Sequence, residues 1–381
     1  MKFIIKKNIL LENLLNTSKA ISSKNLIPIL TGIKFELKED GLYLSASDSD
    51  ISIRTFIPND KITEVQQLGS IVISGKYIVE IIRKLPDNDI IIEVIDGYNM
   101  IIQTQGSEFN LNGIDPNEFP NLDLEETKNP IVLNPVIFKN IINQTFFATS
   151  LSETRPLLTG INFKLSGNML EVIATDSYRL ARKQIEYSKE LPEIKVVIPG
   201  KSLDELYKIL EDTEGAIEIH CSSSKILFKY QNLLFQSRLI NGIFPNIETL
   251  IPEKYLLSLK FNKEELISAI DRVSIFVSNE LSNIIKLNIN NHNSVEFSSS
   301  SNEIGGAVEE VSLLSKSSEV NFEVAFSSKY FLDALKTFDS KEVTLNFTGE
   351  IKPITVEAEY DHKLIQLILP VRSQYLIIIL E

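Results

Sequence analysis

The stretch VISGKYIVEIIRKL at 72–85 returns in altered form as VIPGKSLDELYKIL at 197–210 and as AFSSKYFLDALKTF at 325–338. The lysines that these segments align are 125 and 128 residues apart: Lys76, Lys201 and Lys329. Three proline pairs keep a spacing of 125 residues: Phe119-Pro120, Phe244-Pro245 and Leu369-Pro370. A weaker marker aligns SASDSDISIR at 45–54 with IATDSYRLAR at 173–182. Independent markers do not hold one spacing by chance, so the sequence predicts three copies of one unit.

A period near 125 residues is typical of a domain and too long for a solenoid repeat. We place the domain boundaries in the polar stretches LEETKNP and PEKY, which follow the first two proline markers. The three predicted domains therefore cover residues 1–127, 128–253 and 254–381.

Each copy is predicted to contain two helices. The first is an amphipathic segment, at 8–24, 135–150 and 262–278, and the second is the repeated segment, at 75–85, 200–210 and 328–338. Asn262 is the predicted N-cap of its helix, because an Asn side chain can accept hydrogen bonds from the first free amides. Short β-branched or alternating runs predict strands at 42–44, 51–56, 90–95, 217–220 and 343–347. The predicted fold class is α+β, with three repeated domains of two helices packed on antiparallel sheets.

The composition is that of an ordinary packed protein, since 43% of the 381 residues are apolar and 23% are charged. The single cysteine, Cys221, excludes an internal disulfide and favours a reducing compartment. The longest apolar run, at 375–380, is far shorter than the roughly 20 residues of a membrane span. Lys6 and Lys7 interrupt the first apolar stretch, which argues against a signal peptide. We therefore expect a cytoplasmic protein without membrane contact.

The net charge of −13 gives no bulk attraction to nucleic acid. The six predicted helices nevertheless carry a net +4, which leaves −17 for the rest of the chain. One interpretation is that the chosen helix ends include lysines; the other is that the helices line a common surface that faces a polyanion. Attraction to phosphate needs only local positive charge.

The candidate motifs for catalysis or metal binding each lack a required residue or spacing. Gly200-Lys201-Ser202 lacks the earlier glycine of a phosphate-binding loop, and the repeat explains it better as a helix start. The three histidines have no ligand spacing, and His220 and Cys221, adjacent on a predicted strand, point to opposite faces. Asp48 and Asp50 are better explained by hydrogen bonds in a turn than by paired acids. We predict no catalytic residues, no metal and no cofactor.

Several segments resemble the bacterial sliding clamps, which are the beta subunits of DNA polymerase III. The segments occur in the right order over the whole chain, and they are most similar to the clamps of low-GC Gram-positive bacteria and mollicutes. They are MKF at 1–3, NLIPILTGI at 25–33, SDSDISI at 47–53, FPNLD at 119–123, SETRPLLTGINF at 152–163, ATDSYRLA at 174–181, FPNIETLIP at 244–252 and LILPVR at 367–372. The resemblance implies a non-catalytic processivity factor for DNA replication. Two chains would form a head-to-tail ring of six domains that encircles duplex DNA, slides along it and tethers the polymerase.

The resemblance also implies three sets of site residues. Positions facing DNA are Lys24, Lys76, Arg83, Lys139 and Arg155. The dimer interface would use Phe109, Leu111, Phe276 and Val277, for which packing inside a domain is the alternative. A pocket for peptides of the polymerase, the clamp loader, and repair and regulatory proteins would use Leu158, Thr175, Tyr178, Arg179, Leu180, Pro245, Leu250, Tyr330, Ile351, Leu369, Pro370, Val371 and Arg372.

The chain departs from the family pattern at two pocket positions and at its end. Tyr178 stands where histidine is usual and Thr249 where arginine is frequent, and the chain continues past LPVR into SQYLIIILE. We expect the apolar tail at 375–381 to add a strand to the third domain's sheet, with occupation of the chain's own peptide pocket as the alternative.

Two other functional classes stay open at this stage. One is an enzyme that binds nucleotides through the Gly-Lys-Ser segment, which a nucleotide-binding assay would detect. The other is a structural repeat protein without a role on DNA, which would not be retained on circular DNA.

Overall fold

The structure is a computed structural model, and it describes residues 1–22, 27–95, 97–188, 190–213, 215–277, 283–289, 293–361 and 363–371. Lys24, His292, His362, Arg372 and the tail at 375–381 lie outside the described residues, and so do the expectations attached to them.

Six α-helices occur in the described residues, two in each predicted domain. They are α1 (Lys7–Ser18), α2 (Gly75–Lys84), α3 (Pro135–Thr145), α4 (Gly200–Tyr207), α5 (Lys263–Ser274) and α6 (Ser328–Leu335). The helices α2, α4 and α6 all begin at the Gly/Ser position of the repeated segment, which confirms its interpretation as a helix start. In α2 the position is crowded, because a Cβ on Gly75 would lie 2.1 Å from Cδ1 of Ile21. The side chain of Asn262 caps α5, accepting hydrogen bonds from the amides of Glu264 and Glu265.

By its contacts the chain divides into two units. The first unit comprises Met1–Phe138 and Ser202–Leu239, and the second comprises Lys139–Lys201 and Ile240–Glu381. The middle predicted domain contributes to both units, so this grouping differs from the three-domain division, whose boundaries stay a prediction.

The first unit contains two antiparallel sheets. Their strand orders are β5-β1-β7-β8-β9 and β10-β15-β16-β17-β4-β3-β2-β6. The strands are β1 (Lys2–Lys6), β2 (Gly32–Leu37), β3 (Gly41–Ser47), β4 (Ile51–Pro58), β5 (Glu64–Gln67), β6 (Gly69–Ser74), β7 (Asp89–Ile95), β8 (Asn99–Thr104), β9 (Ser107–Asn112), β10 (Ile131–Leu133), β15 (Ile217–Cys221), β16 (Lys225–Tyr230) and β17 (Leu233–Arg238). In the larger sheet β17 pairs with β4, opposing Leu233 to Thr55.

The second unit also contains two antiparallel sheets, of nine and four strands. Their orders are β14-β11-β12-β13-β26-β25-β24-β18-β22 and β21-β20-β19-β23. The strands are β11 (Gly160–Ser166), β12 (Met169–Thr175), β13 (Arg179–Glu186), β14 (Ile194–Pro199), β18 (Leu257–Asn262), β19 (Ile284–Ile289), β20 (Ser294–Ser301), β21 (Gly305–Ser312), β22 (Ser315–Lys316), β23 (Phe322–Ser327), β24 (Glu342–Phe347), β25 (Ile354–Glu357) and β26 (Leu364–Ile368). In the larger sheet β13 pairs with β26, opposing Lys183 to Leu364.

The five strands predicted from the sequence all lie within observed strands: β3, β4, β7, β15 and β24. The α+β fold with helices on antiparallel sheets is therefore confirmed. The core of the second unit shows why the helical spacing was informative, since Leu266, Ile270 and Val273 of α5 are buried in one cluster with the strands of both sheets.

The two aligned aspartates cap equivalent turns, as predicted. Asp48 Oδ1 accepts hydrogen bonds from the amides of Asp50 and Ile51, and Asp176 Oδ1 accepts them from Tyr178 and Arg179. In both turns the residue after the aspartate is a serine with φ near +80°, a conformation that the flanking hydrogen bonds hold in place.

Within the described ranges no helix is both long and apolar enough to cross a membrane.

Candidate functional site

The second unit contains an apolar cavity of about 600 Å³. It lies beside the turn at 156–159, the facing ends of β12 and β13, the segment after residue 240, and the end of β26. Its lining residues are Arg155, Pro156, Leu157, Leu158, Thr175, Ser177, Arg179, Leu180, Asn241, Pro245, Asn246, Ile247, Leu250, Leu367 and Leu369. Seven of the residues expected in a peptide pocket are thus brought together: Leu158, Thr175, Arg179, Leu180, Pro245, Leu250 and Leu369.

Leucines from separate parts of the chain form the wall of the cavity. Leu158 and Leu180 are buried with Leu367, and these three side chains belong to one cluster with Phe244 and Ile247. The marker Phe244-Pro245 therefore has a structural reason, since the buried Phe244 anchors the segment that carries Pro245 into the cavity wall.

Polar groups are confined to a few places in the lining. Arg155 donates a hydrogen bond to Ser177 Oγ at 3.1 Å. Thr175 Oγ1 donates to the carbonyl of Arg179 at 2.7 Å, which closes the turn between β12 and β13. An apolar wall with a few orienting polar groups is the usual form of a site for a small molecule or a short peptide.

Arg179 is held by its neighbours and is only 11% exposed. Its guanidinium pairs with Asp176 at 3.0 Å and with Asp333 at 2.7 Å. The same group lies 4.4 Å from the ring centre of Tyr330 and 5.2 Å from that of Phe147. With two carboxylates and two rings around it, Arg179 supports the cavity wall rather than offering a free cation to a ligand.

Other predicted pocket residues lie outside the lining. Tyr178 is 63% exposed and stacks on Tyr330, with ring centres 6.5 Å apart. Burial is the main cause that raises the pKa of Tyr330. Ile351 is exposed, Pro370 is half-buried, and Val371 donates its amide hydrogen to the carbonyl of Ala325. Arg372 is outside the described residues.

Seven lining residues were missed from the sequence: Pro156, Leu157, Ser177, Asn241, Asn246, Ile247 and Leu367. Most of them lie inside the quoted segments SETRPLLTGINF, ATDSYRLA, FPNIETLIP and LILPVR, so these segments were the available signal. Asn241 lies outside all of them and had no signal of its own.

The residues predicted to face DNA fall in different settings. Lys76 and Arg83 are exposed on α2, where Arg83 pairs with Glu80 at 2.9 Å. Lys139 is half-buried on α3. Arg155, assigned to DNA by the resemblance, lines the apolar cavity.

The residues predicted for the dimer interface lie on or beside edge strands. Phe109 and Leu111 are half-buried on β9, which is the last strand of its sheet. Phe276 is half-buried close to Gly305, the first residue of the edge strand β21. Val277 is 1% exposed in the core of the second unit, so packing inside a domain, the alternative considered above, applies to it. A side chain without exposed surface has none to bury against a partner.

Three family models match the chain, each for one domain of the DNA polymerase III beta subunit. The N-terminal domain matches residues 1–123, the central domain 132–246 and the C-terminal domain 248–372.

Curated relatives named beta sliding clamp match the chain along its length. The chain is 42% identical to the protein of Bacillus subtilis strain 168 and 40% identical to that of Staphylococcus aureus strain Mu50, in each case over 98% of this chain and 100% of the relative. The solved sliding clamp of Bacillus subtilis has a TM-score of 0.93 at 41% identity, over 98% of this chain and 99% of that one. The solved clamp of Bartonella birtlesii, bound to griselimycin, has a TM-score of 0.90 at 26% identity, over 98% and 100%.

Proposed function

Because the chain belongs to the DNA polymerase III beta subunit family, the sliding clamps, we propose that it works as a ring on DNA. In this proposal two copies form a ring that encircles duplex DNA and tethers the replicative polymerase. The family consists of non-catalytic processivity factors of this polymerase, so the protein acts by holding its partners. We place this activity in the cytoplasm.

The apolar cavity of the second unit is the observation that carries the proposal. Its leucine wall suits the apolar side chains of a short peptide, and Arg155 and Asn246 at its border can orient the peptide backbone or an acidic group. We propose that the polymerase, the clamp loader, and repair and regulatory proteins bind here through such peptides. We therefore assign Arg155 to the proposed peptide contacts instead of the proposed DNA contacts.

Among the described residues β9 and β21 are each the last strand of their sheet, and these edges support association of two copies. An exposed edge with apolar side chains favours pairing with another strand. On β9 these side chains are Phe109 and Leu111; at β21 they are Ile304 and Val308, both more than half exposed, together with Phe276. We propose that β9 of one copy pairs with β21 of the other. Because the two surfaces differ, the contact is head-to-tail, and we propose that the rotation between copies closes a ring of two.

Binding to DNA in this proposal depends on topology rather than on affinity. The net charge is −13, and α2 with Lys76, Arg83 and Lys84 is a locally basic element. Weak contacts to phosphate allow sliding, whereas many strong contacts would stop it. We propose that Lys24, Lys76, Arg83 and Lys139 face the DNA.

Two measurements test the proposal together. Sizing should give about 86 kDa, twice the 43.0 kDa of the chain. Protein loaded onto a nicked circular DNA should remain bound through gel filtration and should leave when the circle is linearised. A monomer at micromolar concentration, or equal retention on circular and linear DNA, would contradict it.

A further inference from the structure

Glu126, Glu218 and His220 form a group in the first unit that the proposed clamp function does not use. Their ligand atoms, one from each residue, lie within 4.8 Å of one another. Glu218 and His220 are two residues apart on β15 and therefore point to the same face of the sheet. Glu126 belongs to the connecting segment at 119–130, between the first and second repeats.

His220 aims a buried nitrogen without a hydrogen-bond partner into this group. The residue is 3% exposed, and its Nε2 atom has no hydrogen bond to the residues that the structure describes. Nε2 lies 3.5 Å from Oε2 of Glu218. A buried polar atom of this kind is costly unless a ligand satisfies it.

We propose that Glu126, Glu218 and His220 bind a divalent transition-metal ion of the Zn²⁺ class. One imidazole and two carboxylates are donors that Zn²⁺, Co²⁺ and Mn²⁺ accept, with water completing the coordination. Bonds near 2.1 Å place neighbouring ligand atoms of a tetrahedral site about 3.4 Å apart. The Nε2–Oε2 separation of 3.5 Å already has this spacing, and the exposed Glu126 closes the site by rotating its side chain.

Metal binding at Nε2 requires a change at the other ring nitrogen. His220 Nδ1 lies 3.2 Å from Thr127 Oγ1 and 3.3 Å from the carbonyl oxygen of Thr127. When Nε2 binds a metal, the proton resides on Nδ1 and can be donated to either oxygen. A backbone carbonyl is a usual partner for the second nitrogen of a metal-binding histidine. In the metal-free arrangement the Thr127 amide donates a hydrogen bond to Nδ1 at 2.9 Å, so the ring proton is on Nε2. Metal binding therefore moves this proton to Nδ1 and breaks the hydrogen bond of the amide.

Lys229 is the competitor for this site. Its Nζ lies 2.8 Å from Oε2 of Glu126, so an ammonium holds one of the carboxylates that the metal needs. The bound ion would displace this ammonium and join the connecting segment to β15. Binding energy of this kind adds to the stability of the joined elements.

Titration of Zn²⁺ into the full-length chain by calorimetry, with Co²⁺ absorption as a second readout, tests the proposal. We expect one ion per chain and a higher midpoint of thermal unfolding. Glu218→Gln and Glu126→Gln should each weaken binding at least tenfold. Lys229→Gln should strengthen it, because the competing ammonium is gone.

Glu125→Gln is the matched control, since Glu125 is the exposed neighbour of Glu126 and is not part of the group. It should bind Zn²⁺ as the wild type does. Absence of binding at 1 mM Zn²⁺ would overturn the proposal. Binding that survives both glutamate substitutions and His220→Gln would overturn it as well, because the ion would then sit elsewhere.

Discussion

Arg179 lines the cavity, but its guanidinium is already engaged by neighbouring side chains. Its guanidinium pairs with two carboxylates and contacts two aromatic rings, so its charge is already balanced within the protein. The lining that remains available is mainly leucine and proline. Affinity for a peptide should therefore come from the burial of apolar side chains.

Leu250→Asp tests this at the cavity border. Leu250 is 48% exposed, so the substitution leaves the fold intact and places a carboxylate where the ligand's apolar groups would lie. We expect affinity for a clamp-binding peptide of the replicative polymerase, measured by calorimetry, to fall at least tenfold, which is about 1.4 kcal/mol. Leu151→Asp is the control, because Leu151 is almost fully exposed and outside the cavity lining. Equal losses in both variants would contradict this use of the cavity.

Cys221 gives a second prediction at the same scale. Burial raises the pKa of its thiol, so less thiolate is present at neutral pH than in the unfolded chain. Iodoacetamide should alkylate the folded protein several-fold more slowly than the urea-unfolded protein at pH 7.5, by mass spectrometry. The difference should shrink as the pH rises toward the raised pKa. Equal rates in both states at neutral pH would contradict it.

The sequence predicted residues with a local role better than residues with a distant partner. The turn role of Asp48 and Asp176 followed from short-range hydrogen bonding and from the repeat. The pairing of Arg179 with Asp333 joins positions 154 residues apart and left no local pattern. Val277 was assigned to the interface by the resemblance, with packing inside a domain as the alternative, and its burial in the core cluster favours that alternative.

Helix ends were harder to predict than helix starts. The helices α1, α3 and α5 stop earlier than their apolar spacing predicted. Each stops at a hydroxyl residue that donates back to a helix carbonyl: Ser18 to Leu15, Thr145 to Ile141 and Ser274 to Asp271. Such hydroxyls satisfy carbonyls that a further turn would otherwise use. The apolar spacing continues past these residues, so a prediction from periodicity alone makes each helix too long.

The edge strands β9 and β21 lead to a prediction about association. Phe276→Asp would place an unpaired carboxylate in the proposed contact, which costs several kcal/mol. The variant should be a folded monomer of about 43 kDa by gel filtration with light scattering. Val277→Asp should instead lower the midpoint of thermal unfolding strongly, because this side chain is in the core. A dimeric Phe276→Asp variant at micromolar concentration would refute the proposed contact.

At the scale of the whole molecule, weak contacts to DNA predict that DNA retention can be lowered without loss of the dimer. Combined Lys24→Glu, Lys76→Glu and Arg83→Glu should leave the dimer intact and lower the amount retained on nicked circular DNA several-fold. Lys195→Glu, an exposed lysine on β14, is the control and should behave as the wild type. Nanomolar binding of the wild type to short linear duplex at physiological salt would contradict topological binding.

The pairing of β13 with β26 has a consequence for how the chain is made. Lys183 and Leu364 are neighbours in the sheet but about 180 residues apart in the chain, and β4 waits equally long for its partner β17. At 5–20 residues per second the ribosome needs roughly 10 to 40 s to make that length. During this time β13 is an unpaired edge on a nascent chain, and many ribosomes on one message bring identical edges together. We therefore expect the yield of folded protein to depend on the rate of synthesis and on chaperone access during it.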